Sequence, residues 1–304
     1  PPLLPETASR NRILLLSGMA GVMMGVGLIL LLERLNNTFR SAPELEEATG
    51  LRVSGMLPAV GRRVRRRGVL EHLQSRKTSS LAEAVRNLRT SIFLANIDHP
   101  PRTIMVTSSL PGEGKSTTSM MLAMASRQMG RSAIIVDCDL RRPSLTDLFE
   151  TRVDSAGLVS VLEGGTPLDD AIEVEPTTGL HAIMAREAGT RAASNAADLL
   201  SSRRFTELLS ELERAYDLVI LDTPPVLVVT DARITASLSD AVIYAVKWDS
   251  TPRGAVLEGL KELRSVGAPL TGLVMTMINE SKAAYYNYEG YRYYKGYYKK
   301  YYDS

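Results

Sequence analysis

The sequence predicts an α/β fold, a P-loop NTPase-like and mostly parallel sheet with helices on both faces, preceded by one transmembrane helix. Three observations carry this expectation. Ile104 to Ser119 reads IMVTSSLPGEGKSTTS: an apolar run, a loop of small residues, then a helical pattern. Ile134-Ile135-Val136 and Leu218-Val219-Ile220-Leu221 are apolar at every position and run out into aspartates, as strands buried on both faces do at the edge of a site. Ile13 to Leu32 is a run of twenty residues without a charge, which as a helix spans roughly 30 Å, the hydrocarbon thickness of a bilayer.

Composition narrows the class. The chain has 304 residues, 44% of them hydrophobic, and a net charge of +2. That allows a sizeable core and gives no compositional sign of nucleic-acid binding. The single cysteine, Cys138, excludes an internal disulfide framework and a cysteine-rich zinc site. Five segments are expected: a proline-rich extracytoplasmic flank (1–12), the membrane helix (13–32), a basic juxtamembrane linker (33–77), the P-loop domain (78–280) and a tyrosine-rich tail (281–304). The chain opens without an initiator methionine, as a piece of a longer chain would.

In chain order, Pro1, Pro2 and Pro5 favour an extended start. Within the apolar run Gly21 and Gly25 form G-x-x-x-G, a weak helix-packing signal. Nucleotide chemistry belongs in the cytosol, so the C-terminal side of the span is expected there. In the linker, Ala42–Thr49 reads as a short helix and Val53–Leu57 as a short strand ended by Pro58. Arg62, Arg63, Arg65, Arg66 and Arg67 can hold anionic lipid, at about 1 kcal/mol each, or form a solvated run. Ser80–Ile97 reads as a helix with Ser80 as cap, Glu83 closing a capping box, and Leu81, Val85, Leu88 and Ile92 as its apolar stripe. Glu83, Arg86 and Arg89 share a face, where intrahelical ion pairing is the plain explanation.

The loop fits G-x-x-x-x-G-K-[ST] except that Ser109 stands at the first glycine. Gly112 and Gly114 let backbone N–H groups turn inward around phosphate oxygens. The helix opening near Lys115 directs its positive end at the same anion. Lys115 reaches the β/γ-phosphates and the Ser116 hydroxyl ligates Mg²⁺. Asp137 and Asp139 leave one strand two residues apart, able to address a metal and its neighbourhood. Asp222, before Thr223-Pro224-Pro225, is the expected partner of the loop near Mg²⁺. Asp231 follows in a loop. Leu158–Leu162, Asp198–Leu212 and Arg253–Val266 read as helices; Leu180–Met184, Ala241–Val246 and Leu273–Ile278 read as strands, the last ending at Asn279.

The tail YYNYEGYRYYKGYYKKYYDS holds ten of the twelve tyrosines: Tyr285, Tyr286, Tyr288, Tyr291, Tyr293, Tyr294, Tyr297, Tyr298, Tyr301 and Tyr302. With almost no aliphatic residue it cannot build a core. A stacking platform for single-stranded nucleic acid, a sticky low-complexity segment and a cluster of phosphate acceptors all suit it. The first is disfavoured because the basic run lies far from the tyrosines in sequence.

Together SSLPGEGKST, IIVDCDLRRP and LVILDTPP resemble the Walker A, A′ and B motifs of bacterial tyrosine kinases, which are similar to the cytoplasmic halves of polysaccharide co-polymerases. The likeness covers most of the chain, and Glu83, Arg86 and Arg89 resemble the family's E-x-x-R-x-x-R oligomerisation motif. The resemblance implies an autophosphorylating enzyme using ATP and Mg²⁺. Gly112, Glu113, Gly114, Lys115, Ser116 and Thr117 would bind ATP, with Asn279 an adenine contact. Ser116, Asp139 and Asp222 would hold Mg²⁺, and Asp137 would be the base, so that Lys115, Asp137, Asp139 and Asp222 form the catalytic set. Tail tyrosines would be phosphorylated in trans by a neighbour in a ring at the bacterial inner membrane. Implied partners are polysaccharide polymerase and export machinery, a phosphotyrosine phosphatase and membrane lipid, with no nucleic acid. Asn195 to Leu200 resembles a family N-P-x-E-L-L segment without its proline. The alternative is a membrane-tethered partition-type ATPase, but that group carries a signature lysine where Leu110 stands. A scaffold with a degenerate site is opposed by the intact Lys115, Ser116, Asp137, Asp139 and Asp222.

Overall fold

Strands that are apolar at every position need cover on both faces, and the sheet of this protein has it. The computed structural model describes residues 10–35, 37–60, 68–75, 79–149, 156–186 and 194–285. The chain divides into two units, Pro1–Thr38 and Phe39–Ser304. The first contains helix α1, Arg10–Leu35. Its described side chains, Arg12 to Gly27, are exposed. Among the described residues no helix is long and apolar enough to cross a membrane; the expected span continues into Leu28–Leu32, whose side chains lie outside them. The arginine run 62–67 and the tyrosines from Tyr286 onward also fall outside the described residues.

The second unit is built on eight strands: β1 (Val53–Pro58), β2 (Thr103–Ser108), β3 (Ala133–Asp137), β4 (Ile172–Val174), β5 (His181–Ile183), β6 (Leu218–Asp222), β7 (Ala241–Lys247) and β8 (Leu270–Ile278). Their order is β1-β8-β7-β2-β6-β3-β5-β4. All described pairings are parallel except β4–β5. Alternate residues feed two cores. Met105, Ile134, Val136, Val219 and Leu221 pack with the helices Arg203–Ala215 and Arg253–Ser265. Ile104, Val106, Ile135, Leu218 and Ile220 pack on the other face with α4 (Ser80–Leu94) and α5 (Lys115–Gln128).

Several expectations change in detail. The stretch read as linker contributes α2 (Ala42–Thr49), α3 (Gly68–Ser75) and the edge strand β1, which pairs with β8. Ser79, not Ser80, caps α4, accepting from the Ala82 N–H at 3.2 Å, and that helix ends at Leu94, short of Ile97. The helix expected over Asp198–Leu212 is two, Ala196–Leu200 and Arg203–Ala215, because Ser202 caps the second through the Phe205 N–H. Asp231 opens a helix, Asp231–Ala236, rather than lying in a loop. Beyond β8 a further helix, Glu280–Tyr285, follows.

Candidate active site

The topology brings the chemistry-bearing residues to one edge. β6 lies between β2 and β3, and the register sets Asp222 beside both Val106 and Asp137. The loop leaving β2 and the two aspartate-bearing strand ends therefore meet at the C-terminal edge of the sheet. Within the loop Gly112 (φ 76°) and Gly114 (φ 87°) are left-handed, a conformation that costs glycine nothing and turns N–H groups toward one centre.

The loop is braced from beneath. The Leu110 N–H donates to the Glu113 carboxylate at 2.7 Å, the Thr251 hydroxyl donates to its other oxygen, and the Thr276 hydroxyl donates to the Glu113 carbonyl at 2.6 Å. Glu113 is buried, and that burial raises its pKa. Both oxygens of its side chain are thus engaged within the protein, by Leu110 and Thr251. Lys115 is also buried, and its charge lowers the pKa of both Asp222 and Asp139 against the upward push of burial.

The three aspartates sit where charge is costly. Asp137 has no exposed surface; one carboxylate oxygen accepts from the Asp139 N–H at 3.1 Å and the other has no partner. Burial first, then Asp222 and Asp139, hold its pKa well above the usual carboxylate range. Burial likewise pushes Asp222 up to about 6, although Ser116 and Ser119 both hydrogen-bond to it. Asp139, also raised by burial, accepts from the Arg142 N–H at 3.0 Å. The Ser116 hydroxyl lies 2.6 Å from that of Ser144. Among the described residues no group of three or more His, Cys, Asp or Glu could hold a metal unaided. Mg²⁺ needs no such cage: it keeps waters and takes one or two protein ligands plus phosphate oxygens. Ser116, Asp222 and Asp139, with an orphaned carboxylate oxygen on Asp137, suit that arrangement.

Comparison with known proteins shows the family. Residues 101–266 match the AAA domain family. The tyrosine-protein kinase YwqD of Bacillus subtilis (strain 168) is 33% identical over 209 residues, covering 69% of this chain and 86% of that protein. This chain belongs to the bacterial tyrosine kinases. The kinase domain of Escherichia coli tyrosine kinase ETK superposes with a TM-score of 0.70 at 27% identity, covering 79% of this chain and 95% of that one. The succinoglycan biosynthesis transport protein ExoP of Rhizobium meliloti (strain 1021) is 25% identical over 99% of this chain, which spans only 41% of it.

The remaining expected kinase residues are placed as follows. Asn279 is exposed and its side-chain oxygen accepts from the Lys282 N–H at 3.1 Å, capping the helix after β8. Thr117 is half-buried in the first turn of α5. On α4, Glu83 pairs with Arg86, whereas Arg89 turns inward, with its guanidinium 4.9 Å from the centre of the Phe93 ring. Arg89 therefore does not share the outer face with the other two. Sequence reasoning missed the pair between Arg141 and Asp231, 2.8 Å apart with Asp231 fully buried. Arg141 stands in the LRRP stretch and Asp231 beyond Pro224-Pro225, with no spacing that links the two.

Proposed function

We propose that this kinase transfers the γ-phosphate of ATP to tail tyrosines of a neighbouring copy, at the cytosolic face of a bacterial inner membrane. The observation that carries the reading is the Asp137–Asp222 register beside the glycine loop. Loop N–H groups and Lys115 would hold the phosphates, and Ser116, Asp139 and Asp222 would hold Mg²⁺, which when bound would supply positive charge to the transferred group. Asp137 takes the proton of the incoming tyrosine hydroxyl, whose pKa of about 10 keeps it protonated at neutral pH. Positioning and electrostatics supply most of the rate.

The acceptors are the tyrosines from Tyr285 to Tyr302. Residues 285–304 carry Arg292, Lys295, Lys299 and Lys300 against Glu289 and Asp303, and each phosphotyrosine adds about −1.5 to −2. An unmodified tail docks in a neighbour's site; a heavily modified one is expelled and loosens the ring that the α4 face carrying Glu83 and Arg86 helps build. The 26-residue helix α1 anchors the chain in the membrane, supported by its twenty uncharged positions. The arginine run 62–67 meets anionic lipid. By analogy with ExoP, named a succinoglycan biosynthesis transport protein, the kinase serves exopolysaccharide or capsule polymerisation and export, and a phosphotyrosine phosphatase reverses it.

Intact mass of the expressed protein tests this. A ladder of roughly 80 Da additions mapping to residues 285–302, and absent in Lys115→Met, is expected. ATP hydrolysis without any addition would overturn the kinase reading in favour of an ATPase switch.

A further inference from the structure

Ser109 stands where the phosphate-loop motif asks for glycine, and its hydroxyl lies 2.7 Å from that of Tyr244. Neither residue has exposed surface. Tyr244 is on β7, which pairs with β2 immediately before the loop, Thr107 opposite Tyr244 and Ser108 opposite Ala245. Room for the phenol comes from Gly259 in the helix Arg253–Ser265: a Cβ there would lie 1.9 Å from the Tyr244 hydroxyl oxygen. A buried phenol needs a hydrogen-bond partner, and here the partner is the residue that replaces the motif's glycine. Together with Thr251 and Thr276 on Glu113, this contact ties the loop to β7, the turn after it, and β8.

We propose that Tyr244 is a positioning residue for the nucleotide: its hydroxyl pins Ser109 and so fixes the curvature of the phosphate-binding loop, with Gly259 making room for it. The inference rests on the reading that this loop holds ATP phosphates. Loop N–H groups meet the phosphates in ground and transition states alike. Loosening them weakens nucleotide binding and raises KM for ATP while sparing kcat. A purely structural role in the core would instead lower Tm and leave affinity untouched.

The test is the magnesium-ADP dissociation constant of the full chain for wild type, Tyr244→Phe, Ser109→Ala, the double variant and Gly259→Ala. Each single loss of the hydroxyl pair should weaken binding roughly three- to tenfold, the worth of one buried hydrogen bond. The double variant should be no weaker than the worse single one, because both remove the same contact. KM for ATP should rise by the same factor, with kcat within about twofold. Gly259→Ala, which reaches Tyr244 from a neighbouring helix without touching the loop, should weaken binding too. Wild-type affinity in Tyr244→Phe or Ser109→Ala, or additive losses in the double variant, would overturn the proposal. Should Tyr244→Phe fail to fold, Ser109→Ala and Gly259→Ala decide the matter by the same criterion. A wild type that binds no magnesium-ADP would instead sink the nucleotide reading itself.

Discussion

The two ends of the same sheet treat aspartate in opposite ways. At the N-terminal edge Asp240 and Asp217 are both paired with backbone N–H groups. Asp240 accepts from the N–H groups of Arg102 and Thr103 at 2.8 and 2.9 Å. Asp217 accepts from the Ser132 N–H and hydroxyl at 2.8 and 2.9 Å, and its own N–H returns a bond to that hydroxyl. These bonds hold the Asp217 carboxyl below its usual range. At the C-terminal edge Asp137 keeps an orphaned oxygen and Asp222 is pushed up to about 6. Satisfied carboxylates stabilise the ends of strands. Buried and crowded ones store an unmet demand for positive charge, and that demand is what a metal–nucleotide site supplies.

Replacing one of the frustrated acids should therefore separate catalysis from stability. Asp137→Asn keeps the shape and removes the base, so kcat for tail phosphorylation should fall by about 10²–10⁴. Melting of the magnesium-free protein should stay level or rise, since the cost of burying a carboxyl, met either as charge or as its protonation, is gone. A variant that phosphorylates its tail at the wild-type rate would remove Asp137 from the mechanism.

Asp222 sharpens the comparison through pH. Its folded pKa of about 6 lies above an unfolded value near 4, so the folded state binds the proton more tightly. The stabilisation from this group is complete below the unfolded pKa and is lost as pH rises through the folded one. In magnesium-free buffer, Asp222→Asn should gain Tm over wild type progressively between about pH 4 and 7, and magnesium-ATP should reverse that order by stabilising only the wild type. A gap independent of pH would mean the carboxylate is not frustrated.

How much of this was legible in the sequence depends on the range of the interaction. β2, β3 and β6 announced themselves because each is apolar at every position, and Lys115, Ser116, Asp137, Asp139 and Asp222 followed from where those runs end. The opposition of Asp137 and Asp222 was not readable, because strand order is a pairing across distant sequence. For the same reason β1 was read as a strand but not as part of the sheet. The antiparallel β4, only three residues long, leaves no period to detect. Glu113 was placed among ATP contacts from its neighbours in the loop, whereas its carboxylate answers to Thr251 far along the chain. Arg89 shares helical spacing with Glu83 and Arg86, yet spacing ignores Phe93, against which it packs.

The satisfied edge yields the smallest effects. Ser132→Ala removes both side-chain bonds to Asp217 on an exposed surface, so it should cost about 0.5–1.5 kcal/mol in denaturant unfolding and leave the phosphorylation rate unchanged. The sign of its pH dependence is the reverse of that at Asp222. Because the Asp217 pKa is depressed by the Ser132 bonds, its contribution is present above the unfolded value near 4 and disappears as pH falls through the folded one. The difference between wild type and Ser132→Ala should thus shrink only in acid, below about pH 4. Acid titration of the two proteins side by side would check it, and a difference that instead closed on raising the pH would mean that Asp217 is held by something other than Ser132.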